Sequence, residues 1–154
     1  AMHSFYLRSM YQQNKLKEPG GVEMNGTPID LRNIKTPAYF VAAKEDHIAP
    51  ADAVYQGTKL FGGPMKYVLA ASGHIAGVVN PPPPIKYGYW TNAKSPETLE
   101  EWFKTSTETK GSWWPDWQKW IARKAGKKVP ARIPGESGLK AIEAAPGNYV
   151  QVRS

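Results

Sequence analysis

The chain has 154 residues, 41% hydrophobic and 12% aromatic, which suits one domain with a modest core and is too apolar for a disordered chain. Its formal net charge is +7, it has no cysteine, and it has three histidines, which excludes a disulfide scaffold and a thiolate metal site and argues against zinc. No apolar run approaches the length of a membrane span, and Ala1-Met2-His3-Ser4 lacks the charged and apolar regions of a secretory signal, so a soluble, cytoplasmic chain is expected.

Residues 3–16 carry Phe5, Leu7, Met10, Tyr11 and Leu16 at loose helical spacing and predict one helix that stops before Pro19-Gly20-Gly21. Asn25-Gly26 between short apolar alternations predicts a small hairpin over 22–29, with Pro28 confining its second strand to an edge. Residues 30–35 read as a connector with one helical turn. The continuously apolar Ala38-Tyr39-Phe40-Val41-Ala42-Ala43 then suits a parallel strand buried on both faces. An acidic turn, Lys44-Glu45-Asp46-His47-Ile48-Ala49-Pro50, follows at its carboxyl end, where open α/β sheets build their sites. A helix from Pro50 or Ala51 runs through Val54, Tyr55, Thr58 and Leu60 to Gly62-Gly63-Pro64, and residues 65–70 form the next strand. This strand, turn, helix and strand make a right-handed crossover that brings two strand ends to one edge of the sheet.

The second strand leads into Ala71-Ser72-Gly73-His74-Ile75-Ala76-Gly77-Val78-Val79-Asn80-Pro81. Gly73 and Gly77 permit tight turning, and the prolines at 81–84 stiffen the exit. Beyond Tyr87, Tyr89 and Trp90, Ser95-Pro96-Glu97 reads as a serine cap for a helix with Leu99, Trp102 and Phe103 on one face, ending near Lys110-Gly111. Ser112-Trp113-Trp114-Pro115-Asp116 starts another helix, with Trp113, Trp117, Trp120 and Ile121 near one face and Gly126 as its stop. Residues 127–154 predict an extended tail with a short strand-like piece over 148–152. The Arg123-Lys124-Ala125-Gly126-Lys127-Lys128 cluster reads as a solvated helix end, since no nucleic-acid motif accompanies it. The six tryptophans read as core packing before ligand stacking, any surface remainder serving self-association or a hydrophobic granule.

Asp46 and His74 are the candidate catalytic residues. A nucleophilic serine or cysteine needs an imidazole to take its proton, and the imidazole needs a carboxylate to fix its tautomer. Strand, acidic turn, helix, strand and histidine loop is the order in which α/β-hydrolase-type enzymes deliver these two groups, after an upstream nucleophile. The nucleophile itself is missing, because the chain has neither cysteine nor a Gly-x-Ser-x-Gly elbow. Glu45 is a second acidic candidate, His47 a second imidazole, and Asp46 could instead cap the following helix.

The runs E-D-H-I-A-P, S-G-H-I-A-G-V-V-N-P-P and G-S-W-W-P-D-W, in this order and at these separations, resemble the C-terminal part of polyhydroxyalkanoate synthases. M-H-S-F-Y-L-R-S-M-Y and E-P-G-G-V-E-M-N-G-T-P-I-D-L extend the resemblance over nearly the whole chain. It implies an α/β-hydrolase fold and an acyltransferase that polymerises hydroxyacyl-CoA through cysteine, histidine and aspartate, without a metal or cofactor. The aspartate would be Asp46, the histidine His74, and the cysteine would lie in an upstream half. By the same resemblance, residues 1–35 would end a cap- or lid-like region, 36–126 would belong to the catalytic domain, and 127–154 would form its tail. Expected partners are hydroxyacyl-CoA, the growing polyester, the upstream half and a second copy in a homodimer, possible sites including a granule surface. An esterase or depolymerase with a serine nucleophile is the first rival. A non-enzymatic tryptophan-rich module is the second, and it requires Asp46 and His74 to lie far apart.

Overall fold

A computed structural model describes residues 1–83, 86–136 and 138–153, so Pro84 of the proline run and Ser137 and Ser154 of the tail lie outside the described residues. The chain divides into two units, Ala1–Ile121 and Ala122–Ser154.

The first unit opens with helix α1 (Met2–Tyr6), which continues as a π-helical stretch over Leu7–Gln12. The helix stops there rather than at residue 16, because Asn14 turns left-handed at φ 47° and starts a separate 3₁₀ turn, Lys15–Lys17. Strands β1 (Glu23–Met24) and β2 (Thr27–Pro28) form the expected hairpin, with Asn25 and Gly26 at φ 49° and 76°. Both central residues of its turn therefore adopt the positive φ that Asn-Gly supplies cheaply. Asp30 caps the 3₁₀ turn Leu31–Asn33 by accepting the Arg32 N–H at 3.0 Å.

Four strands build the main sheet in the order β3 (Ala38–Ala43), β4 (Met65–Ala70), β5 (Gly88–Thr91), β6 (Thr107–Lys110). Among the described residues β3 and β4 pair in parallel, while β5 and β6 add antiparallel neighbours, so the sheet is mixed rather than wholly parallel. The β3–β4 crossover is α2 (Ala51–Gly57), which follows Pro50 and closes with a 3₁₀ turn, Thr58–Leu60.

The structure corrects the reading of residues 95–110. Helix α3 spans Leu99–Lys104 and is capped by Thr98 and Glu101 in a reciprocal box, whereas Ser95 accepts a hydrogen bond from the Lys59 ammonium at 2.9 Å. The helix does not reach residue 110, because the alternating Thr107-Glu108-Thr109-Lys110 pairs with β5 as an exposed edge strand. β-branched threonine at every second position favours that extended ribbon over a helical turn.

Period-2 alternation gives the sheet two aromatic faces. Ala42, Tyr67 and Leu69 pack with Tyr55 of α2 and Trp102 of α3, flanked by Phe40 and Trp90. Tyr67 and Trp102 meet edge to face at 5.0 Å, and the Tyr55 hydroxyl donates to the Pro96 carbonyl at 2.6 Å. The alternate residues Tyr39 and Lys66 face helix α4 (Trp114–Ala122). Tyr39 stacks on Trp113 and meets Trp120 edge-on, while its hydroxyl donates to Asp116 at 2.7 Å, where Lys66 also binds at 2.6 Å. Burial, reinforced by the Asp116 carboxylate, pushes the Tyr39 pKa up and keeps the phenol a donor.

The second unit, by itself, is mostly irregular. Its 148–152 stretch forms a 3₁₀ turn, Tyr149–Gln151, rather than a strand, the Asn148 carbonyl accepting the Gln151 N–H at 3.1 Å. Helix α4 ends at Ala122, one turn before the glycine stop at Gly126. No helix among the described residues is long and apolar enough to cross a membrane.

The most telling core substitution is Trp102→Ala, since this indole is 1% exposed between two aromatic rings. Removing it should lower stability by about 3–5 kcal/mol. Urea unfolding is expected to show a lower midpoint with an unchanged slope; an unchanged midpoint would contradict the packing described.

Candidate active site

The site grows out of the parallel β3–β4 pair. Both strands end in alanine, Ala43 opposite Ala70, and beyond them the backbone pairing continues into the turns. Lys44 N–H donates to the Ala70 carbonyl at 2.8 Å, and Glu45 N–H donates to the Ser72 carbonyl at 3.0 Å. The acidic turn and the histidine turn are thus stitched together through backbone before any side chain is considered. Ser72 adopts φ 69°, a left-handed conformation uncommon for serine, and this redirects the chain out of the β4 line. Residues 73–79 then form one compact turn in which Gly77 N–H bonds the Gly73 carbonyl at 3.0 Å and Val79 N–H bonds the Ile75 carbonyl at 2.8 Å. Gly77 is required by space: a Cβ there would collide with the Ala71 carbonyl oxygen and crowd the Ala43 methyl at 3.1 Å.

This geometry brings Asp46 and His74 together. The Asp46 Oδ2 lies 2.7 Å from His74 Nδ1, while Oδ1 accepts the N–H groups of Ile48 and Ala49 at 2.8 and 2.9 Å. Asp46 therefore both caps its own turn and holds the imidazole, so the two roles weighed for it coexist. Its side chain is only 5% exposed, whereas that of His74 is 46% exposed. The amides, led by Ala49, and then the His74 contact outweigh desolvation and lower the Asp46 pKa to about 2. An ionised carboxylate only accepts hydrogen bonds, so Nδ1 carries a proton, and in the neutral ring the lone pair lies on Nε2. Chemically, this arrangement is one that can act as an oriented general base, with the ring accessible. Glu45 contributes backbone to the stitching, and His47 is exposed.

Sequence reasoning missed two features of the site. Both indole N–H groups of Trp113 and Trp114 donate to the Val78 carbonyl in the histidine turn, at 3.0 and 3.1 Å. Adjacent tryptophans at a helix start were the available signal, but a donor's target across 35 residues of chain is not visible in sequence. The second is strand β5, whose Gly88 carbonyl accepts the Ala71 N–H at 2.9 Å and so fixes the other side of the histidine turn.

The depressed Asp46 pKa has a definite sign. The folded state prefers the carboxylate, so this contribution is complete above the ordinary value of 3.8 and is lost as the pH falls through about 2. Acid unfolding of the Asp46→Asn variant should accordingly show a shallower decline in unfolding free energy across that window. Equal slopes in the variant and the parent would contradict the bonded, ionised Asp46.

No family model matches the chain. It is 47% identical over 154 residues to a poly(3-hydroxyalkanoate) polymerase subunit PhaC of Rhizobium etli, covering 100% of this chain and 24% of that protein. The corresponding protein of Rhizobium meliloti is 49% identical over 154 residues, with 100% and 25% covered. That of Cupriavidus necator is 46% identical over 154 residues, with 99% and 26% covered. The chain spans about a quarter of the length of these curated relatives and matches their C-terminal part. With this identity sustained from end to end, the chain is similar over its whole length to the C-terminal part of poly(3-hydroxyalkanoate) polymerases.

Proposed function

We propose that this chain is the acid–base portion of a polyhydroxyalkanoate-polymerising acyltransferase built on the α/β-hydrolase plan. The observation that carries the reading is the 2.7 Å bond between Asp46 and His74 at the ends of adjacent parallel strands. The relatives' names add the reaction class, and their greater length leaves room for the cysteine that this chain lacks. The tryptophan-module reading required the two side chains to lie far apart, which the bond contradicts. Relatives named polymerases do not favour the depolymerase reading.

In this mechanism His74 Nε2 takes the proton of a cysteine thiol supplied from outside these residues. The thiolate attacks the carbonyl of a 3-hydroxyacyl-CoA, and the departing CoA thiolate takes the proton back from the imidazolium. Nε2 next takes the proton of a chain-end hydroxyl. That oxygen attacks the cysteine-bound acyl group, forming the ester and releasing the cysteine thiolate, which the imidazolium reprotonates. Asp46 orients the ring and stabilises its charge in both steps. The chemistry needs no cofactor beyond the thioester substrate. The enzyme would work in the cytoplasm, with the polymer granule surface as a further site. It gives the open edge of β3 an upstream strand as partner, and gives the complete enzyme a second copy in a dimer.

In the full-length enzyme, His74→Gln should abolish turnover, while Asp46→Asn should retain measurable single-turnover acylation. A thiol is already partly ionised near neutral pH and needs an oriented base less than the later hydroxyl does. Equal loss of acylation in both variants would contradict this division of roles. The 154-residue chain alone should release no CoA from a 3-hydroxyacyl-CoA; turnover by it would show that the missing thiol is not required.

A further inference from the structure

His74 is nearly half exposed, so packing around the ring contributes little to its position. That position therefore depends on how its turn is anchored. On one side the anchors are backbone bonds to the acidic turn and to β5. On the other side stands the start of helix α4. The turn ends after one cycle, and its terminal carbonyls have no helical donor to follow. Val78 offers one of these carbonyls, and both of its lone pairs are taken, by Trp113 Nε1 and Trp114 Nε1.

Two adjacent indoles converging on one oxygen is a demanding arrangement, because successive helical side chains diverge. It is achieved here because Trp113 precedes the helix and Trp114 is its first residue, with Ser112 Oγ accepting the Trp114 N–H at 3.1 Å. The rings meet at 75° with centroids 6.5 Å apart, so each approaches the oxygen along its own direction. Asp116, one turn on, is fixed to the sheet through Tyr39 and Lys66, and Trp113 stacks on Tyr39. A rigid path thus runs from the sheet through α4 to the histidine turn.

Building on the proposed role of His74, we propose that Trp113 and Trp114 are positioning residues that hold the catalytic turn through the Val78 carbonyl. In this role they act through the Val78 carbonyl and not on reacting atoms. Their contribution is to keep Nε2 where a proton can be transferred in both halves of the cycle. Because either indole alone still occupies the carbonyl, loss of both should exceed the combined effect of losing each.

The test uses the full-length enzyme with benzothienylalanine, which keeps the indole shape without its N–H, at position 113, at 114 and at both. Trp113→Phe and Trp114→Phe serve as genetically simple counterparts should incorporation impair folding, and Trp117→Phe is the control for a general disturbance of α4. The double isostere should retain the KM for 3-hydroxyacyl-CoA within about twofold and lose about 10- to 100-fold in kcat, the range expected of a slightly misplaced catalytic group. Each single replacement should lose much less, and the control should keep both constants. Unchanged kcat in the double isostere, with His74→Gln inactive, would overturn the clamp while leaving the proposed function standing. Full turnover by His74→Gln would overturn both. A kcat loss equalled by the Trp117 control, or matched by a proportional rise in KM, would assign the tryptophans to packing alone.

Discussion

The parallel ladder between β3 and β4 is the constraint from which the site follows. Parallel strands in one-to-one register deliver their carboxyl ends to the same edge, and here the last pair is Ala43 with Ala70, both fully buried. Their small side chains let the two following turns approach closely enough for Gly77 to sit against Ala43. The hydrogen-bonding line then passes from strand to turn through Lys44 and Glu45 and ends in the Asp46–His74 bond. A slip of one residue would move one turn by about 3.3 Å and reverse the side-chain faces, which no carboxylate–imidazole bond of 2.7 Å survives.

The sheet that carries this ladder is held by aromatic packing on both faces, and the two faces do different things. Tyr55, Tyr67 and Trp102 form an interior in which the polar atoms are satisfied locally, as with the Tyr55 hydroxyl on Pro96 and the Tyr67 hydroxyl on Ala51. The opposite face joins polar and aromatic groups in one network. Tyr39 and Lys66 meet on Asp116, and the same helix carries the indoles that reach Val78. One face therefore supplies stability, while the other connects the sheet to the turn where chemistry is proposed.

Much of this was legible in sequence because it rests on local rules. The apolar runs of β3 and β4, the Asn25-Gly26 turn and the proline-led start of α2 each follow from periodicity or backbone preference. The placement of Asp46 and His74 followed from strand order and from the family resemblance together. What remained hidden depended on partners distant in sequence. β5 carries only four residues and becomes a strand by pairing with β4, and Thr107–Lys110 leaves the helical pattern because β5 offers it an edge. Ser95 looked like a cap beside Pro96, but the capping box at Thr98 and Glu101 satisfies two backbone donors and prevails.

The central claim is that Asp46 fixes His74 as a base with its free lone pair on Nε2. The most direct measurement is ¹⁵N NMR of the histidine ring in the full-length enzyme, followed through the neutral form of His74 and compared with the Asp46→Asn variant. The account predicts a protonated Nδ1 in the parent, with a strongly deshielded proton that disappears in the variant. A neutral ring protonated at Nε2, or a ring whose spectrum is indifferent to residue 46, would contradict it.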